Sequence, residues 1–140
     1  MLHKPFNREW YDSSDQAKFV VSFKLCKMGY FVNFAEDYNS DIKTWHPEKK
    51  YGLHEVEHRQ VWENDWPFET VHIPERKTRL LDTPLTLLYW VVNKDFTKAL
   101  VCNAKDSMLK ERLKEIPNNV FSGGEYFYDV PISEFKEFNL

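Results

Sequence analysis

What most constrains the fold of this chain is a change of hydrophobic period at Gly29. Before it, Ala17, Val20, Val21 and Met28 recur at helical spacing, and Phe23 and Leu25 widen the stripe. Ser13 and Gln16 stand three apart as in a capping box, with Asp12 and Asp15 complementing a positive helix end, so the pattern predicts a helix from about Ser13 to a stop at Gly29. After Gly29 the apolar residues come in short runs rich in aromatic and β-branched types, which is strand chemistry.

These runs predict strands at 30–35, 41–45 and 51–62, separated by polar turns at 36–40 and 46–50, and connections this short make an antiparallel meander of the three. Further strands are expected at 68–73, 85–92, 98–103 and 125–130. A short helix over 74–81 has proline at its first position, a polar helix is expected over 107–116, and 117–124 reads as a loop around Gly123-Gly124. Residues 1–11, with Phe6, Trp10 and Tyr11, read as a packing arm, and Phe135 and Phe138 mark an aromatic tail. The fold class is α/β (α+β), a central mixed β-sheet flanked by helices. At 140 residues, 42% hydrophobic and 16% aromatic, the chain is expected to form a single domain over 1–140.

The third predicted strand carries Glu55 and Glu57 two residues apart, so both project from one face while Val56 projects from the other. An antiparallel partner brings Asp41, at the start of the preceding strand, towards the same place. Three converging carboxylates repel one another unless a cation lies between them, and hard oxygen ligands suit magnesium or manganese. The alternative is a solvated strand face whose acids balance Arg59, Lys43 and Lys49.

The order helix, strand, turn, Asp-bearing strand, then a strand with an acid-x-acid step resembles the core of the PD-(D/E)xK nuclease superfamily, which includes restriction enzymes, junction resolvases and phage exonucleases. The resemblance covers about residues 13–103. Asp41 matches the aspartate of the first half-motif, Ser40 stands where proline is common, and Glu55-Val56-Glu57 matches (D/E)-x-K. It implies a restriction endonuclease-like fold, a Mg2+ or Mn2+ cofactor on Asp41, Glu55 and Glu57, and endo- or exonucleolytic hydrolysis of phosphodiester bonds in DNA. Glu57 departs from the pattern by occupying the lysine position, so the amine is expected from elsewhere. Lys43, on the face of Asp41, is the nearest candidate and Lys77 is another. Arg76, Lys77 and Arg79 fall where the superfamily keeps polar groups near the phosphate, and are expected to hold substrate. The runner-up is a non-catalytic module of the same core that binds nucleic acid or a protein partner, a reading favoured by the missing lysine and by a net charge of -3.

Rival sites are weaker. His54 and His58 share a strand face, but residues four apart on a strand are about 13 Å distant, too far to ligate one zinc ion. Trp45, Trp62, Trp66, Tyr89 and Trp90 suit base stacking or core packing alike. Cys26 and Cys102 lack metal spacing and are expected as reduced core thiols. No stretch is apolar enough to span a bilayer and the start lacks a signal-peptide core, so a cytoplasmic protein without a membrane partner is expected. A domain this size that cuts both strands is expected to work as a homodimer.

Overall fold

The computed structural model describes residues 8–34, 40–116 and 125–140. The N-terminal arm around Phe6, most of the expected turn at 36–40 and the Gly123-Gly124 loop lie outside the described residues.

Helix α1 (Arg8–Lys27) begins five residues before the expected Ser13 start. Nothing in Arg8 to Asp12 breaks a helix, so Ser13, Asp15 and Gln16 are interior rather than capping. Asp15 instead pairs with Lys18 one turn on, at 3.8 Å. Ala17, Val21 and Leu25, four apart, are its fully buried positions, and two aliphatic side chains of this size contribute about 1.5–3 kcal/mol each by leaving water. Gly29 ends the helix as expected, at φ 91°, where the Gly29 amide donates to Cys26 and the Tyr30 amide to Leu25. That pair of bonds is a Schellman cap, which needs a residue free to turn left-handed.

The meander forms as read. Strands β1 (Phe31–Phe34), β2 (Ile42–His46) and β3 (Lys50–His58) pair antiparallel in succession. Strand β3 ends at His58, four residues early, where the chain turns through Arg59–Trp62. Strand β4 (Thr70–Pro74) and a 3-10 helix (Glu75–Leu81) then cross to β5 (Thr86–Val92), which lies parallel to β3. β6 (Lys98–Asn103) returns antiparallel through a turn in which the Asn93 side chain accepts the amides of Thr97 and Lys98.

The expected helix over 107–116 is absent. A four-residue turn of helix α2 (Ala104–Ser107) and a 3-10 turn lead instead into strand β7 (Leu113–Ile116), which pairs with β8 (Glu125–Pro131). Polar composition suggested a surface helix, but the pairing with β8 decides the conformation. The aromatic tail is likewise a strand, β9 (Lys136–Asn139), on the edge beside β6.

The result is an α+β architecture with a mixed six-stranded sheet in the order β1-β2-β3-β5-β6-β9 and a three-stranded sheet β4-β8-β7. One face of the large sheet is covered by the long helix, where Ala17, Val21 and Leu25 of α1 meet Ile42, Val56, Trp90 and Val101. The other face carries mainly the small sheet where a second helix layer was expected, with Leu53, Leu87, Tyr89 and Val91 packed on Val71, Ile73, Tyr128 and Val130, and with Leu80 of the 3-10 helix and Ala104 of α2 in the same cluster. Cys102 is buried there, its thiol pushed up to about 12 by burial, whereas Cys26 is exposed on α1, contrary to its expected core position. No helix of the described residues is long and apolar enough to cross a membrane.

Candidate active site

The register Ile42↔His54 sets Asp41 opposite Glu55 across the β2–β3 pair. The ladder continues through Asp41, whose amide donates to the His54 carbonyl at 3.1 Å and whose Oδ2 accepts the Val56 amide at 2.9 Å. A carboxylate that substitutes for a backbone acceptor is fixed in place, and here it is fixed against a second acid. Directly opposite like charges are destabilising in a sheet.

The acids are not a solvated face, because Glu55 is only 4% exposed. Burial is the main force raising its carboxyl, Lys77 pulls the other way, and Asp41, to which Glu55 hydrogen-bonds, raises it again; the outcome is about 7. Lys77 reaches Glu55 from the 3-10 helix, Nζ to Oε2 2.5 Å. Lys18 reaches Asp41 from α1 at 3.2 Å. Burial lowers the Lys18 ammonium, but Asp41 and then Asp15 outweigh it and hold it above the ordinary lysine value.

Glu57 projects from the same strand face and is drawn elsewhere. Its carboxylate accepts hydrogen bonds from Arg59 Nη2 at 3.2 Å and from the Tyr89 hydroxyl at 2.9 Å. Burial pushes its pKa up, yet Arg59, Lys77 and Tyr89 together hold it below the usual range, so Glu57 is a fixed anion. Arg59 also donates to the His72 carbonyl, joining β3 to β4. Tyr89 stays a phenol well above its ordinary value, through burial and then the charge of Glu57.

Of the residues singled out in the sequence, the structure therefore joins Asp41, Glu55 and Lys77, with Glu57 alongside in its own pair with Arg59. Lys43 goes elsewhere, its amine resting over the Tyr51 ring at 5.3 Å. Arg76 pairs with Glu125 at 3.0 Å, and Arg79 is exposed on the 3-10 helix. A cavity of about 420 Å3 opens beside Glu57 and is lined by Arg59, Gln60, Arg76 and Lys77 together with Ser13, Ser14 and His58. Gln60, assigned by alternation to the far face, lines it because β3 has already ended.

Lys18, Arg59 and Tyr89 are site residues that sequence reading missed. Lys18 had a usable signal, since it lies three residues after Asp15 on a helix whose buried stripe includes Val21, but without a start at Arg8 its direction was not fixed. The histidines have other work: His58 stacks on Phe96, and His72 pairs with Asp129 at 3.3 Å.

Among the described residues no group of three or more His, Cys, Asp and Glu side chains is arranged to hold a metal ion, so an ion here would draw on the oxygens of two acids, Asp41 and Glu55. That donor set is hard, of the kind Mg2+ and Mn2+ take, and Lys18 and Lys77 now offset its charge. No protein-family model matches the chain, and none of the curated proteins gives a significant match.

Proposed function

We propose that the chain is a metal-dependent nuclease of the restriction endonuclease-like kind, hydrolysing phosphodiester bonds in DNA. The observation that carries this reading is the convergence of Asp41, Glu55 and Lys77 from three elements, β2, β3 and the 3-10 helix. An acid pair with an amine at 2.5 Å is the constellation expected of the superfamily, with Lys77 supplying from outside β3 what Glu57 does not. The meander that leads from α1 to the acid-bearing strand is the order of elements on which the resemblance rests.

Asp41 and Glu55 fit Mg2+ or Mn2+ as ligands; when bound, such an ion supplies an acidified water and neutralises charge on a phosphate. Loss of the Glu55 proton then makes both acids available, so binding releases protons as pH approaches 7. Lys77 is placed to orient a water or offset charge on the phosphoryl oxygens, since its ammonium sits at Glu55 on the wall of the open cavity. Glu57, held by Arg59 and Tyr89, keeps the strand face rigid and anionic behind them. Arg76 and Arg79 present guanidinium groups suited to phosphate oxygens.

A second reading, a non-catalytic module that binds nucleic acid or protein, is favoured by one observation. Each acid already has a cation of its own, Lys18, Lys77 and Arg59 in turn, so the charges are compensated within the chain.

Magnesium-dependent cleavage of labelled DNA separates the two. Asp41→Ala is expected to abolish cleavage while circular dichroism stays unchanged, and calorimetric titration with manganese should show one site that the variant lacks. Undiminished cleavage by Asp41→Ala would remove the nuclease assignment, and a titration without a site would favour the binding module.

A further inference from the structure

Next to the cavity beside Glu57 lies a smaller one of about 190 Å3, lined by Arg59, Val61, Trp66, Phe68, Thr70 and His72. The two share Arg59 and Val61 in their walls. Their chemistry differs sharply. The larger is polar, with Arg59 paired to Glu57 in its wall and with Arg76 and Lys77 reaching it from their pairs with Glu125 and Glu55; the smaller has three flat rings and no lining carboxylate.

The rings are held but not covered. Trp66 is anchored by its indole N–H on the Thr70 carbonyl at 3.1 Å and by an edge contact with Trp62, and Phe68 packs edge-on against Trp66. Phe68 nevertheless remains 61% exposed and Val61 85%, in a segment that follows the end of β3. Large apolar groups kept at the surface by a hydrogen-bonded support signal a contact site more than a failure of packing.

We propose that this aromatic cavity receives one unstacked base of a single-stranded nucleic acid whose phosphates run past Arg59 towards Asp41, Glu55 and Lys77. The proposal rests on the nuclease reading for the direction of the strand and deepens it by naming the substrate class. Size supports it, because whole small-molecule sites are usually ~300–1,000 Å3, and the smaller space suits one ring system whose remainder lies outside. Chemistry supports it too, since every base of a strand comes with a phosphate, and the N–H donors of Arg59, Arg76 and Lys77, each shared with an acid, stand in the adjoining cavity. Arg59, common to both walls, is fixed in orientation by Glu57 and the His72 carbonyl, and a fixed planar guanidinium serves either a phosphate or a base face. A duplex has its bases stacked inside and offers none to the rings.

Fluorescence anisotropy tests this in chelator, so that cleavage does not consume the probe. The probes are a labelled oligothymidylate, an abasic strand of equal length, and the oligothymidylate annealed to oligoadenylate. The thymidylate is expected to bind about ten-fold or more tightly than the abasic strand, and Phe68→Ala to lose a similar factor while Phe68→Trp retains affinity. An oligouridylate runs in parallel: Phe68-dependent binding of either strand supports the pocket, and the tighter one identifies the sugar. Equal affinity for the abasic strand, tighter binding of the duplex, or an unaffected Phe68→Ala overturns the proposal. The two readings fail separately: Phe68-dependent binding with cleavage untouched by Asp41→Ala leaves the pocket and removes the nuclease, and the reverse pattern removes only the pocket.

Discussion

His54 and Glu55 are neighbours in sequence and almost equally buried, 2% and 4% exposed, yet they face opposite sides of β3 and meet opposite treatment. On the helix side, His54 is satisfied by neutral partners: the Trp90 indole donates to Nδ1 at 2.9 Å, which leaves the proton on Nε2 to reach Thr44 Oγ1 at 2.9 Å. On the other side, Glu55 has an acid beside it and an ammonium at 2.5 Å. A neutral network of this kind fixes a core, whereas an acid kept near an acid is a stability cost, a pattern that clusters at functional sites. Polarity inside a sheet is thus no single category, and the partners decide which kind it is.

The largest effect that separates the two faces is acid sensitivity of the helix side. Burial lowers His54 from the ordinary imidazole value of 6.5 to about 4, so the fold holds the neutral ring. Between those values the unfolded chain takes up a proton that the folded chain refuses. Stability from His54 is therefore complete above pH 6.5 and is lost as pH falls towards 4, by about 3 kcal/mol. Urea unfolding of wild type and His54→Gln from pH 7 to pH 4 measures it as the difference between the two profiles, since the raised carboxyl of Glu55 contributes with the opposite sign over the same window. Parallel wild-type and His54→Gln curves across that window would show that the ring is not held neutral.

The next effect has the opposite sign. Glu55→Gln removes a buried carboxyl that costs free energy once ionised, keeps an acceptor for Lys77, and adds an amide donor towards Asp41. At pH 8 it should stabilise the fold by about 1 kcal/mol, because a carboxyl raised to about 7 is ionised there at a cost to the fold that the neutral amide does not bear, and on the nuclease reading it should abolish cleavage. Denaturation midpoint and cleavage rate are read on the same sample. A destabilised variant would place Glu55 with His54, as a structural group.

Much of this contrast was legible in the sequence, and the part that was not has a physical cause. Strand alternation put Glu55 and Glu57 on one face and His54 on the other, because a period of two is local. The meander and Asp41's position followed from turns too short for any other connection. Lys77 was nameable as one of two lysines, but its reach to Glu55 depends on a crossover through β4 that spans 22 residues of sequence. The bond from Tyr89 to Glu57 needs the parallel register of β3 with β5, which no local pattern encodes, whereas Arg59 lies only two residues beyond Glu57. The helix expected over 107–116 failed for the same reason, since the partner of β7 lies beyond the loop.

The smallest effect sharpens the acid face itself by separating two lysines. Lys43 lies opposite Leu53 in the register, hence on the side of Glu55, and alternation alone made it the nearer substitute for a strand lysine. Its amine turns to the Tyr51 ring, a surface cation–π contact, while Lys77 arrives from the crossover and meets the carboxylate. Lys43→Ala should therefore change stability by less than about 1 kcal/mol and leave cleavage at the wild-type rate, whereas Lys77→Ala should lose cleavage with little change in DNA affinity. Initial rates at saturating DNA distinguish a lost reacting group from a lost contact. If Lys43→Ala fell as far as Asp41→Ala, the amine that matters would be the one on the strand, and the convergence at Lys77 would be a structural ion pair of the same kind as Arg59 with Glu57.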